Sequence, residues 1–316
     1  MSGLSFILKD KQTGKKADFI LIKKVIIAAS VFYTSFSSST LAEDFKTPDI
    51  FVLGDSQILF GAGGTFQNFF ENIEEKCGIS KETQDKLAEL SNPSVGVLGV
   101  RSTGINSWVR KDAQSQLRIC TIDPNWHKNA STFGVINQSD ERFLQLGQEE
   151  PFKFCEQDKS AFEVMFAQER YKTKLFVTFF LGNSAKLWSQ SRAEAKQDAL
   201  AFATQIPQDM PCIYMTTAPA YRQGNIDRRT KAQENIEQAF KETNNHCAFV
   251  AGITPETIEA NLGNNLHFKT DETGKVKDPF HPNDVATKSF LALKTADICN
   301  AIITQLDKKS QPSKLK

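Results

Sequence analysis

The sequence predicts an α/β fold of three layers, αβα, around a central, mostly parallel five-stranded sheet. Three observations carry this expectation. Five short apolar runs alternate with helical segments along the chain. Each run ends in small or polar residues that read as a turn. The most apolar of them, 175–181 (Leu-Phe-Val-Thr-Phe-Phe-Leu), lacks the in-and-out alternation of a half-exposed strand and reads as buried on both faces.

The first run, Phe51-Val-Leu-Gly54, enters from Thr47-Pro48-Asp49 and stops at Asp55-Ser56-Gln57. Phe66, Phe69, Phe70 and Ile73 then recur at helical spacing, and 81–90 is a short polar helix ended by Asn92-Pro93. Val95–Val100 is the second strand, followed by Arg101-Ser-Thr-Gly104 and a helix over 106–117. No period is sustained over 119–157, which reads as an irregular insert, of the kind that is usually functional or mobile. A helix over 160–171 precedes the third strand, which ends in Gly182-Asn183-Ser184.

Helices over 192–205, 229–243 and 254–261 then alternate with a fourth strand, 212–216, and a fifth, 247–250. Leu266-His-Phe268 and Lys275-Val-Lys277 flank Asp271-Glu-Thr-Gly274, which carries Asp and Gly where a hairpin turn uses them. A last helix opens after Pro282, with Asn283 or Asp284 as its cap, and places Ile298, Ile302 and Leu306 at four-residue steps. A single domain over 43–308 with a polar tail over 309–316 is the economical reading.

The amino end has the layout of an export signal. Lys23-Lys24 precedes a short apolar stretch and then Thr40-Leu41-Ala42, so residues 1–42 read as a signal peptide cleaved after Ala42. The stretch is too short for a membrane span, so no integral span is expected in the mature chain. Removing it takes away six Lys and two Asp and leaves 32 basic and 35 acidic residues, a net charge of −3. That balance gives no electrostatic case for nucleic acid as a partner. Six Cys (77, 120, 155, 212, 247, 299) in an exported chain allow up to three disulfides, with connectivity open, while Cys212 and Cys247 read equally well as core thiols. No Cys pair has CxxC spacing, and P-loop, dinucleotide and HExxH motifs are missing, so neither metal nor cofactor is expected.

In a parallel sheet the turns after the strands share one edge, so Ser56, Gly104, Asn183 and the Asp278-Pro-Phe-His281 loop can converge despite their separation in sequence. Taken alone, Ser56 reads as readily as a helix N-cap. With His281 and Asp278 it has what a serine nucleophile needs: a base for its proton and a carboxylate to hold that base's tautomer. The amides of Ser56 and Gly104 and the side chain of Asn183 are the available oxyanion donors. His127, beside Trp126, could line a substrate cleft but reads more readily as a surface or structural residue, and His246 and His267, with no acid three residues before them, read as structural. Most of the 25 Phe fall in strands and on helix faces and read as core.

Gly54-Asp55-Ser56, a Gly after the second strand, Asn183 after the third and Asp278-x-x-His281 before the last helix together resemble the four blocks of the SGNH (GDSL-type) hydrolases. The resemblance spans about 49–284 and implies a flavodoxin-like fold with Ser56, Asp278 and His281 as catalytic triad and Ser56, Gly104 and Asn183 as oxyanion hole. Gly99 and Gly96 compete with Gly104 for the second block. Leu181 and Ser184 stand where the third block has Gly and Asp, and Gln57 replaces the usual apolar residue after the Ser.

The resemblance implies an exported, periplasmic or secreted serine esterase working through an acyl-enzyme, with an acylated glycan or other small ester as substrate and acetyl as the expected acyl group. A lipase, lysophospholipase or thioesterase acting on longer chains is the alternative on the same triad, and a non-catalytic glycan-binding envelope protein is the alternative of another class. Oligomeric state is not legible in the sequence.

Overall fold

The computed structural model describes residues 47–111, 158–167 and 171–310, together with the backbone of 132–136. The described residues belong to one compact unit that begins at Ala42. The signal peptide expected over 1–42, most of the 119–157 insert with His127, Cys120 and Cys155, and the tail from 311 lie outside them.

Five parallel strands form the centre: β1 (Ile50–Gly54), β2 (Val95–Val100), β4 (Leu175–Phe179), β5 (Cys212–Met215) and β6 (Ala248–Val250). A sixth, β3 (Thr132–Ile136), pairs antiparallel to β2 at the edge, giving the order β3-β2-β1-β4-β5-β6. The five parallel strands are those expected from the sequence. The sixth comes from inside the insert, where Thr132-Phe-Gly-Val-Ile136 is too short and too isolated to show a period. Among the parallel strands the order is that of a flavodoxin-like sheet, which reverses direction between β1 and β4. Ligands of such sheets bind at the carboxyl ends flanking that reversal.

Both faces of the sheet are covered, as near-continuous apolar strands require. Along β1, Ile50 and Val52 point into one core and Phe51 and Leu53 into the other. The first core is closed by α1 (Gly63–Glu71), α2 (Ile73–Cys77), α3 (Lys81–Leu87) and α10 (Asp284–Ser310). The second is closed by α4 (Ile105–Val109), α5 (Ala161–Ala167), α6 (Ala185–Gln190), α7 (Arg192–Gln205) and α8 (Gln223–Glu242). Phe66, Phe70, Phe162, Phe176, Phe179, Phe180 and Phe202 are all fully buried, each contributing roughly 1.5–3 kcal/mol of burial.

The helix expected over 106–117 is described only as the short α4. The helix expected from 229 starts instead at Gln223, because its first turn is polar and leaves no apolar period to read. Helix α9 (Pro255–Asn261) leads into the small antiparallel pair β7 (Phe268–Thr270) and β8 (Val276–Pro282). Their turn is closed by Gly274 N–H donating to Asp271 O at 3.0 Å, with Asp271 Oδ1 also accepting from Thr273 N and Lys275 N.

Among the described residues two disulfides join distant segments. Cys77 on α2 bonds Cys299 on α10, and Cys212 opening β5 bonds Cys247 just before β6. Among the described residues no helix is long and apolar enough to cross a membrane.

Candidate active site

Strand β1 delivers Ser56 to the carboxyl edge through a tight turn. Gly54 and Gly99 are paired across β1 and β2, and a Cβ on either would sit within 3 Å of Ile58, which packs down onto both. Residues Ile58–Ala62 form a π-helical turn before α1. No side chain caps this turn; just before it, Asp55 Oδ1 accepts from Gln57 N at 2.8 Å. The Ser56 hydroxyl is therefore released from the capping role that the sequence also allows.

It meets His281. Ser56 Oγ lies 2.8 Å from His281 Nε2, and His281 Nδ1 lies 2.7 Å from Asp278 Oδ2. The other carboxylate oxygen of Asp278 accepts from the amides of Phe280 (3.0 Å) and His281 (3.2 Å), so the acid orients the ring and folds the loop that carries it. Partial burial alone would raise the Asp278 carboxyl, but the Phe280 amide and the His281 ring outweigh it and hold the group below its ordinary range. An ionised Asp278 keeps the proton on Nδ1 and leaves Nε2 as the acceptor facing Ser56.

Residues 279–281 bulge out of β8 between its pairings Lys269–Asp278 and Phe268–Pro282, and packing fixes this bulge loop at both ends. Tyr221 N–H donates to Pro279 O at 2.9 Å, Asn283 N–H donates to His267 O at 2.9 Å, and Asn283 Oδ1 caps α10 through Ala286 N–H at 3.0 Å. Phe60, half-exposed, stands edge-on to the His281 ring with centroids 5.1 Å apart.

The other expected residues reach the same edge with different engagements. Asn183 Nδ2 donates to Thr103 O at 2.8 Å, which ties the turn after β4 to the turn after β2 and leaves its second amide hydrogen uncommitted to that bond. The Gly104 amide is engaged, donating to Ser107 Oγ at 3.2 Å as the cap of α4. A side chain there would collide with Ser184 Oγ, 2.3 Å from the Cβ position, so close packing accounts for this glycine. Gly99 lies beneath Ile58 and Gly96 against Pro48. Leu181 is a core residue, and Ser184 Oγ is fully buried with no hydrogen-bond partner among the described residues.

His267 is structural in its contacts, with Nδ1 2.8 Å from Asn261 Oδ1. His246 Nε2 lies 3.8 Å from Cys247 Sγ. Cys212, His246 and Cys247 are grouped closely enough to ligate a metal, but the two sulfurs are bonded to each other and offer no thiolate.

Two residues at the site escaped the sequence reading. Asp55 is buried beside the nucleophile, and loss of solvation pushes its carboxyl up to about 6, despite the Gln57 amide, Arg229 and His281, which favour the charged form. Arg229 is buried below the loop. A signal for it exists in the sequence: Ile226, Ala232, Ile236 and Ala239 mark the buried stripe of α8, and Arg229 falls on that stripe.

No family model matches the chain, and no curated protein matches it in sequence. Among solved structures it is similar to a DUF4886 family protein from Bacteroides uniformis, at 11% identity and a TM-score of 0.43, over 86% of this chain and 89% of that one. It is also similar to an active site mutant of a family two carbohydrate esterase from Clostridium thermocellum, at 11% identity and a TM-score of 0.36, over 81% of this chain and 64% of that one.

Proposed function

We propose that the chain is a serine ester hydrolase of the SGNH type. The observation that carries this reading is the continuous hydrogen-bonded series Ser56–His281–Asp278, built from two segments 225 residues apart and set at the carboxyl edge of the sheet. Ser56 attacks an ester carbonyl as His281 Nε2 takes its proton. His281 then passes that proton to the leaving alcohol, and the acyl group remains on Ser56. Water, deprotonated by the same ring, adds to the acyl-enzyme and releases the carboxylic acid.

The developing oxyanion is held by the Ser56 amide and the second N–H of Asn183. Gly104 joins them only where Ser107 Oγ gives up its amide. An aqueous, oxidising compartment fits the two disulfides, and the signal peptide over 1–42 is part of the same reading.

Small acyl groups such as acetyl on cell-envelope or extracellular glycans are the proposed substrates. The half-exposed Phe60 beside His281 favours a second reading, in which an apolar rim receives a longer acyl chain. A series of nitrophenyl esters from acetate to octanoate separates the two. Activity that peaks at acetate supports the glycan esterase, and activity that rises with length supports the lipid enzyme. A fluorophosphonate probe that fails to label Ser56 would remove both and leave a non-catalytic binding protein.

A further inference from the structure

Arg229 is a buried cation on a helix face that otherwise carries Ile226, Ala232 and Ile236. Desolvating a guanidinium is costly unless its donors are used, and here they are used on backbone of the site. Nη1 donates to Ala218 O at 2.9 Å, in the segment after β5, and Nη2 donates to Phe280 O at 3.4 Å, in the loop between Asp278 and His281. Gln57, the residue after Ser56, reaches the same two carbonyls, Phe280 O at the same 3.4 Å and Ala218 O more weakly at 3.5 Å.

Among the described residues no carboxylate forms an ion pair with the guanidinium. Its charge is instead offset at longer range by Asp55, just before the nucleophile, and by Asp278. Gly182, at the end of the third parallel strand, covers the group from above: a Cβ there would sit 3.2 Å from Nη2 and 3.6 Å from Asp55 Oδ2. One side chain therefore lies under the turns after β1, β4 and β5 and bonds the loop that carries the acid and the base.

We propose that Arg229 is a positioning residue of the hydrolytic site: its fork, seconded by Gln57, pins the Phe280 carbonyl to the Ala218 carbonyl and so fixes His281 at hydrogen-bond distance from Ser56. This rests on the serine hydrolase reading, and it concerns the part of that reading which neither the acid nor the base can supply. Asp278 and His281 sit three apart in one loop and orient each other wherever the loop goes. Only bonds from outside the loop hold the pair against the nucleophile turn: the Tyr221 amide holds Pro279 O, and the side chains of Arg229 and Gln57 hold Phe280 O.

The test uses the full-length protein and three variants, Arg229→Lys, Arg229→Met and Gln57→Met, with two readouts. Turnover of nitrophenyl acetate is expected to fall about 10²-fold in kcat for Arg229→Met, less for Arg229→Lys and least for Gln57→Met, with KM within about twofold, because a displacement near 1 Å costs that much. The Nδ1–H proton resonance of His281, assigned by comparison with His281→Gln, is expected to shift or broaden in the same order. Melting curves identify which variants are folded, and Arg229→Lys with Gln57→Met carry the test where Arg229→Met does not fold. Unchanged kcat with an unmoved resonance in a folded Arg229 variant overturns the proposal, as does a kcat deficit that disappears on cooling. Should wild type itself show no turnover, the hydrolase reading fails, and the resonance alone decides whether Arg229 holds the loop.

Discussion

Asp278 divides its two carboxylate oxygens between two tasks, Oδ2 taking the His281 ring N–H at 2.7 Å and Oδ1 the backbone amides of Phe280 and His281. Orientation of the base and conformation of the loop are thus one electrostatic unit. Asp278→Asn keeps the shape but can present an NH₂ to Nδ1 and favour the wrong ring tautomer. Its kcat on nitrophenyl acetate is expected to fall about 10³- to 10⁴-fold, as in other serine triads, while Ser56→Ala abolishes fluorophosphonate labelling altogether. Near-wild-type turnover by Asp278→Asn would remove Asp278 from the triad.

Asn183 and Ser184 are neighbours with opposite expectations. Asn183→Ala removes the proposed side-chain donor for the oxyanion and is expected to lower kcat about 10²- to 10³-fold with little change in KM. Ser184→Ala removes a buried hydroxyl that has no partner among the described residues, and its effect on stability is expected to be neutral or favourable by up to about 1 kcal/mol, with activity retained. Denaturant titration checks the second, and a marked destabilisation would mean that the hydroxyl is bonded after all.

Asp55 gives stability a pH dependence of unusual sign for a carboxylate. Its ordinary value is 3.8, and burial raises it to about 6 in the folded chain, so between those values the folded state binds the proton that the unfolded state has lost. Its contribution is full below pH 3.8 and is lost as pH rises through about 6. The change amounts to about 3 kcal/mol. Asp278, held low, acts in the opposite direction: its contribution is present above its unfolded value and is lost as pH falls through the folded one. Asp55→Asn deletes the first effect and retains the second. The stability difference between variant and wild type is therefore expected to move in favour of the variant by about 3 kcal/mol from below pH 4 to pH 7. A difference flat with pH, measured by guanidinium midpoints, would contradict the burial of an ionisable Asp55.

The two disulfides close loops of very different length. Cys77–Cys299 spans 222 residues and Cys212–Cys247 spans 35. Chain entropy gives about 5 and about 4 kcal/mol respectively, so the double Ala variant of the first pair is expected to lose more stability than that of the second. Guanidinium unfolding of both, against wild type, reads the order directly. An inverted order would show that packing at β5 and β6 outweighs loop closure.

The five parallel strands and most of the helices were legible because each has its own period or its own punctuation: Leu175–Phe179 is apolar throughout, and Asn283 stands where α10 needs its cap. The meeting of Ser56, Asp278 and His281 was legible because the proposed triad chemistry restricts which residue types can follow a strand end and precede a last helix. What the sequence could not determine is whatever depends on atoms meeting across the fold. The antiparallel β3 takes its identity from β2 rather than from its own residues, and the Gly104 amide is engaged by Ser107, whose hydroxyl could have faced elsewhere. The pairing of Cys77 with Cys299 follows from α2 packing beside α10. Arg229 is the clearest case. Its place on the buried stripe of α8 can be read from the period, but only the sheet edge above it decides that its donors meet two backbone carbonyls, because hydrogen bonds of this kind depend on position to within half an ångström and a linear pattern carries no such coordinate.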